Sequence, residues 1–190
     1  MGSKSTPEIL SDRQITALFA LDREKAFREL VRKYARRLYG YIRRMTLDHH
    51  DTDDVLQNTL IKAWENFASL KQSGALSTWL YRIATNETMN FLSERARRAH
   101  LPLDEWENSA AQLCEEEPEQ DDRLGALTLQ AIGSLPRVQQ AVFTMKHFEG
   151  LKYSQISQIT DTSQGALKAS YHIALEKIRA FVREHDRQDD

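Results

Sequence analysis

Apolar residues along most of this chain return at steps of three and four, a period that gathers them onto single faces of helices. Ser11 to Ala20 carries Ile15, Leu18 and Phe19 on one side and predicts a short helix. From Asp22, a candidate N-cap, the residues Ala26, Phe27, Leu30, Tyr34, Leu38, Tyr41, Ile42 and Met45 hold the period to about Leu47, roughly six turns. Asp53 to Leu70 predicts the next helix, with Leu56, Leu60, Ala63, Phe67 and Leu70 in phase. Asp51, Thr52, Asp53 and Asp54 crowd its start, where cap oxygens and negative charge suit free N–H groups and the helix dipole. Lys71-Gln72-Ser73-Gly74 then breaks the pattern. A further helix places Leu76, Leu80, Ile83, Ala84 and Phe91 on its apolar stripe, with Glu87 intruding either as an arginine partner or as the stripe's edge. Arg95, Arg97 and Arg98 close it with positive charge.

The periodicity dissolves at Ala99. Pro102, Pro118 and the run Glu115 to Asp122 read as an extended linker. Helical spacing resumes over Arg123 to Ile132, and Leu135-Pro136 opens another helix with the proline at an early position. Val138, Ala141, Val142, Met145 and Phe148 are expected on its inner face, and Gly150 is expected to end it. Lys152 to Ile159, the turn Thr160-Asp161-Thr162 and a helix from Ser163 to about Val182 make a helix-turn-helix. Leu167, Tyr171, Ala174 and Ile178 face inward. Ser163 then serves as N-cap, and Gln164, Lys168, Ser170 and His172 are left outward near the end that enters a major groove. The expected fold is all-α: two small helical domains, 1–98 and 123–190, joined by an acidic flexible linker over 99–122.

Composition agrees with a helical reading, with only 7 Gly and 4 Pro in 190 residues. A lone Cys114 excludes an internal disulfide and a cysteine-based zinc cluster and fits a reducing cytosol; no cofactor and no metal site is expected. No apolar run approaches the roughly 18 residues of a membrane span, and the start lacks a signal-peptide core, so membrane insertion is not expected and a cytoplasmic location is. The net charge of −2 conceals a division: +5 over residues 1–98, −8 over 99–124 and +1 over 125–190. Arg28, Arg32, Lys33, Arg36, Arg37, Arg43 and Arg44 decorate the long helix, either as a solvated face or as a surface for phosphates. The acidic stretch is either a passive tether or a mimic of nucleic acid in a basic channel.

Trp79, Arg82 and Asn86 lie along one flank of their helix beside the Ser/Gly loop. An aromatic, a cation and an amide so placed suit bases taken out of a duplex, although such stripes are more often packing. Asp51-Thr52-Asp53-Asp54 spells the DxDD of one terpene cyclase class, but the chain is too short to enclose the apolar cavity that chemistry needs. No convincing metal set, nucleophile–base pair or glycine-rich loop points to an enzyme.

Asp53-Asp54-Val55-Leu56-Gln57, Ala63-Trp64, Trp79-Leu80-Tyr81-Arg82-Ile83-Ala84 and Asn86 resemble conserved region 2 of bacterial sigma-70 family sigma factors of the extracytoplasmic-function type. Leu135-Pro136 through Arg179 resembles region 4 of the same proteins. The resemblance implies a non-enzymatic initiation factor that directs core RNA polymerase to promoters and helps melt them. It implies polymerase contacts at Asp53, Asp54, Leu56, Gln57 and Trp64, on the clamp helices of the largest catalytic subunit, and a flap contact for the C-terminal domain. Lys71, Gln72, Ser73, Gly74, Ala75, Trp79, Arg82 and Asn86 would read and open the minus-ten element. Ser163, Gln164, Lys168, Ser170 and His172 would meet the minus-thirty-five element. An anti-sigma or other recruiting factor is a further implied partner. The family often carries arginine where Ser170 and Ile173 stand, so the DNA sequence read here is not inferable. The competing reading is a stand-alone regulator with a helix-turn-helix and a separate sensing domain.

Overall fold

The structure, a computed structural model, describes residues 9–70, 76–99 and 123–186. Among these residues regular structure is entirely helical: α1 (Asp12–Phe19), α2 (Arg23–Thr46), α3 (His49–Asn66), a 3-10 turn (Phe67–Ser69), α4 (Leu76–Arg98), α5 (Arg123–Gly133), α6 (Arg137–His147), α7 (Tyr153–Thr160) and α8 (Gln164–Asp186). The expected acidic linker, past Ala99, and the expected loop Lys71 to Ala75 lie outside the described residues.

Helix starts follow local chemistry. Asp22 accepts the Lys25 N–H (2.9 Å) at the start of α2, as the sequence predicts, and at α1 Ser11 and Gln14 form a capping box. The third start differs from expectation. Leu47 ends α2 in the left-handed region (φ 61°) and turns the chain sharply, so Asp48 becomes the N-cap, accepting the Asp51 N–H at 2.8 Å. α3 therefore begins at His49, and Asp53 and Asp54 sit inside the helix, exposed, rather than at its cap. Asp51 instead pairs with Arg95 of α4.

The buried face of α3 also differs. It is Thr52, Val55, Thr59 and Ala63, while Leu56 and Leu60 are only half-buried. Thr52 and Thr59 each donate their hydroxyl to the carbonyl one turn earlier, which leaves a methyl-bearing side chain fit for a core. α4 repeats the device: Thr85 and Thr88 donate to Tyr81 and Ala84 and are buried beside Leu76, Leu80, Tyr81, Ala84 and Leu92. Glu87 is an ion-pair partner, though of Lys62 (2.6 Å) rather than of an arginine.

α1 to α4 pack on one another, and α5 to α8 do the same. Pro136 is the N-cap of α6 rather than an early helical residue. α6 is covered on more than one side: Ala141, Val142 and Met145 join the core of α1–α4, while Phe143 joins a second core with Ile132, Leu135, Ala174 and Ile178. Val138 and Phe148, expected on its inner face, are exposed. Gly150 ends the α6 region at φ +66°, as expected.

Candidate polymerase and nucleic-acid interfaces

A cleft of about 420 Å³ opens along α3, lined by Phe27, Asp53, Leu56, Gln57, Leu60, Ile61 and Trp64. Its floor is apolar because the buried face of α3 is taken by threonines, valine and alanine, which turns Leu56, Leu60 and Ile61 outward. Trp64 is fixed by an edge-on contact with Phe27 (5.1 Å between centroids) and by the Arg23 guanidinium over its ring at 4.1 Å. Asp53 and Gln57 form the polar rim. Of the polymerase-facing residues expected from sequence, Asp53, Leu56, Gln57 and Trp64 meet here, and Asp54 does not line the cleft. Phe27, Leu60 and Ile61 were not expected at this site. The signal for Ile61 is its solvent exposure, close to half, on an otherwise polar flank.

On α4, Trp79 is half-buried and meets Phe67 edge-on at 5.6 Å, so much of its ring is committed to packing. Arg82 and Asn86 are exposed one and two turns further on, and Arg82 Nη2 bonds both carboxylate oxygens of Asp161 at 3.0 and 3.1 Å. Many cations of α2 have internal partners: Arg28 with Glu24, Arg32 with Glu29, Lys33 with Asp12, and Arg37 and Arg44 with Glu149.

α7 and α8 form the expected helix-turn-helix. Asp161 takes the left-handed turn position (φ 52°), and Ser163 caps α8 by accepting the Ala166 N–H at 3.3 Å. Leu167, Ala174 and Ile178 are buried, with Tyr171 half-buried beside them. Gln164, Lys168 and His172 fall in one exposed row at four-residue steps. Ser170, two residues from Lys168, is turned out of that row and half-buried; Ala169 and Ile173 are exposed next to it instead.

Family models for Sigma-70 region 2 and Sigma-70 region 4 match residues 30–98 and 126–178. The chain is 31% identical over 176 residues to the RNA polymerase sigma-H factor of Pseudomonas aeruginosa, covering 88% of this chain and 91% of that protein. It is a sigma-70 family sigma factor, of the extracytoplasmic-function type. The ECF RNA polymerase sigma-E factor of Haemophilus influenzae is 28% identical over 185 residues, covering 93% of this chain and 97% of the relative. Two solved structures share the fold. The sigma factor RpoE of Bartonella quintana, in complex with the anti-sigma factor NepR, matches with a TM-score of 0.70 at 21% identity, over 84% of this chain and 98% of the other. CnrH, in complex with the cytosolic domain of CnrY, matches at 0.68 and 19% identity, over 91% and 97%. Region 2 thus spans most of α2 through α4, and region 4 spans most of α5 through most of α8.

Proposed function

We propose that this sigma factor binds core RNA polymerase through the α3 cleft and reads two promoter elements, one with the α4 flank and one with the N-terminal row of α8. The observation that carries the reading is the cleft itself. An unfilled apolar floor between a fixed tryptophan and a rim of Asp53 and Gln57 is the anatomy of a helix-receiving groove. The exposed row of Gln164, Lys168 and His172 suits base edges in a groove, and the exposed Arg82 and Asn86 suit an extruded base. Polymerase core, promoter DNA and an anti-sigma or other recruiting factor are the partners this implies, in the cytoplasm; no helix among the described residues is long and apolar enough to cross a membrane.

The test is transcription reconstituted from core enzyme and this chain. Core plus chain should start transcripts at discrete promoters. Leu56→Asp should abolish that by losing core binding, with helix content unchanged. A stand-alone regulator would leave core without promoter selectivity, and an unaltered Leu56→Asp variant would show that the cleft is not the polymerase contact.

A further inference from the structure

Near its N-terminus α8 turns short and apolar side chains outward, on the face that a groove-reading helix would be expected to fill with long polar ones. Leu167, Ala174 and Ile178 are buried and fix the inward direction. At roughly 100° per residue, Gly165 and Ala169 lie about 160° from that direction, His172 about 140°, Ile173 about 120° and Lys168 about 100°. All five are exposed. Tyr171 and Leu175 pack on a core, but Ile173 between them is 48% exposed. Lys168 leans toward α7, its Nζ 6.0 Å from the Tyr153 ring centroid, and so stands at one edge of the arc. Glu176, three residues past Ile173, pairs with Arg179 at 3.0 Å. At Gly165 an added Cβ would meet nothing within 4 Å, so the surface in front of the arc is open. What the middle of the arc offers a base edge is therefore the methyl of Ala169 and the branched side chain of Ile173.

We infer that Ile173, with Ala169 beside it, is a specificity-determining residue that selects thymine in the upstream promoter element through the C5-methyl group in the major groove. The inference rests on the recognition-helix reading above and names the base that this part of the helix chooses. The major groove shows donors or acceptors at every base pair but a single kind of apolar group, the thymine methyl. Isoleucine has no donor and no acceptor. Against guanine O6 and N7, or the amino groups of adenine and cytosine, it would take water from polar atoms and return no hydrogen bond. Against thymine it buries a methyl group. Selection thus comes from the mismatches as much as from the match. Arginine at this position would invert the choice, because its fork fits guanine O6 and N7. The β-branch also holds Ile173 to one dominant rotamer on a helix, so little side-chain freedom is lost when the contact forms.

Selection by holoenzyme, core polymerase with the full chain, from duplexes randomised over the upstream element tests this. The library is built twice, once with thymine and once with uracil, which pairs identically but lacks the methyl. Wild type should enrich thymine at one or two fixed positions, and the uracil library should lose about fourfold of that preference per methyl. Ile173→Ala should lose it on the thymine library and be indifferent to the uracil exchange, whereas Ile173→Arg should move the same positions toward guanine. Uracil also changes base stacking, so the deciding quantity is the coupling: the exchange matters in wild type and not in Ile173→Ala. The wild-type comparison of the two libraries needs no variant to fold. Enrichment of other bases with no thymine position, or a thymine preference that survives both the uracil exchange and Ile173→Ala, would overturn the assignment and leave the recognition helix standing. Enrichment of no base at any position would strike the two-element reading itself, and this inference with it.

Discussion

Trp79, Arg82 and Asn86 share a helix flank but have unequal freedom, and that inequality decides which substitution is informative. Trp79 is wedged edge-on against Phe67, so truncation would empty core volume as well as remove a stacking surface. Asn86 is exposed and can be truncated without that cost. Stacking one extruded base on an aromatic ring is worth roughly 1–3 kcal/mol, a good polar contact to a base edge about as much, both comparable to the few kcal/mol needed to unstack the base. Asn86→Ala should therefore lower the open-complex fraction about tenfold on duplex promoters while leaving initial binding intact, and a pre-melted bubble should restore much of the activity. A defect of equal depth on both templates would remove Asn86 from melting. In the α3 cleft, Trp64→Ala should weaken core binding at least tenfold in a titration against labelled core, since buried aromatic anchors commonly carry 2 kcal/mol or more.

At the scale of the element, the helices from α1 to α8 were legible because the three-and-four period survives in each, and Asp22 and Ser163 announce two of their starts. Two things were not legible. The α3 cap moved to Asp48 because Leu47 adopts a left-handed conformation that a leucine's presence does not signal. The inner faces of α3 and α4 are partly threonine, and a hydroxyl satisfied by its own helix behaves as apolar although the residue scores as polar. That use of threonine in the core is also what turns Leu56 and Leu60 toward the cleft, so the misread face and the cleft have one cause. Asp48→Ala should cost about 1 kcal/mol of stability at neutral pH. The bond from the Asp51 N–H holds the Asp48 carboxyl below its usual range, so its contribution is present above about pH 4 and is lost as pH falls through the folded-state value. Denaturant unfolding of wild type and variant should accordingly converge in acid; a constant gap would place the effect elsewhere. On α8, Lys168→Ala should weaken use of promoters that carry the upstream element, by about tenfold for a lost base contact, and leave core binding unchanged. Equal loss on promoters with and without that element would show that the contact is misplaced.

For the whole molecule, two family blocks in order, 30–98 and 126–178, were legible because each keeps its own periodicity and motif residues. How they sit together was not legible. Glu149 and Asp161 look like ordinary surface acids in sequence, and only the fold brings them to Arg37, Arg44 and Arg82, residues more than 70 positions away. The same contacts pair Arg37 and Arg44 of α2, which read as part of a solvated or phosphate-facing face, and Arg82 of α4, which reads as part of a base-facing flank. The central claim is that this chain gives core polymerase its choice of promoters, and mapping transcript 5′ ends from core enzyme, with and without the chain, on genomic DNA tests it most directly. A new, discrete set of start sites that share two upstream motifs at fixed spacing is expected. Start sites indistinguishable from those of core enzyme alone would contradict it.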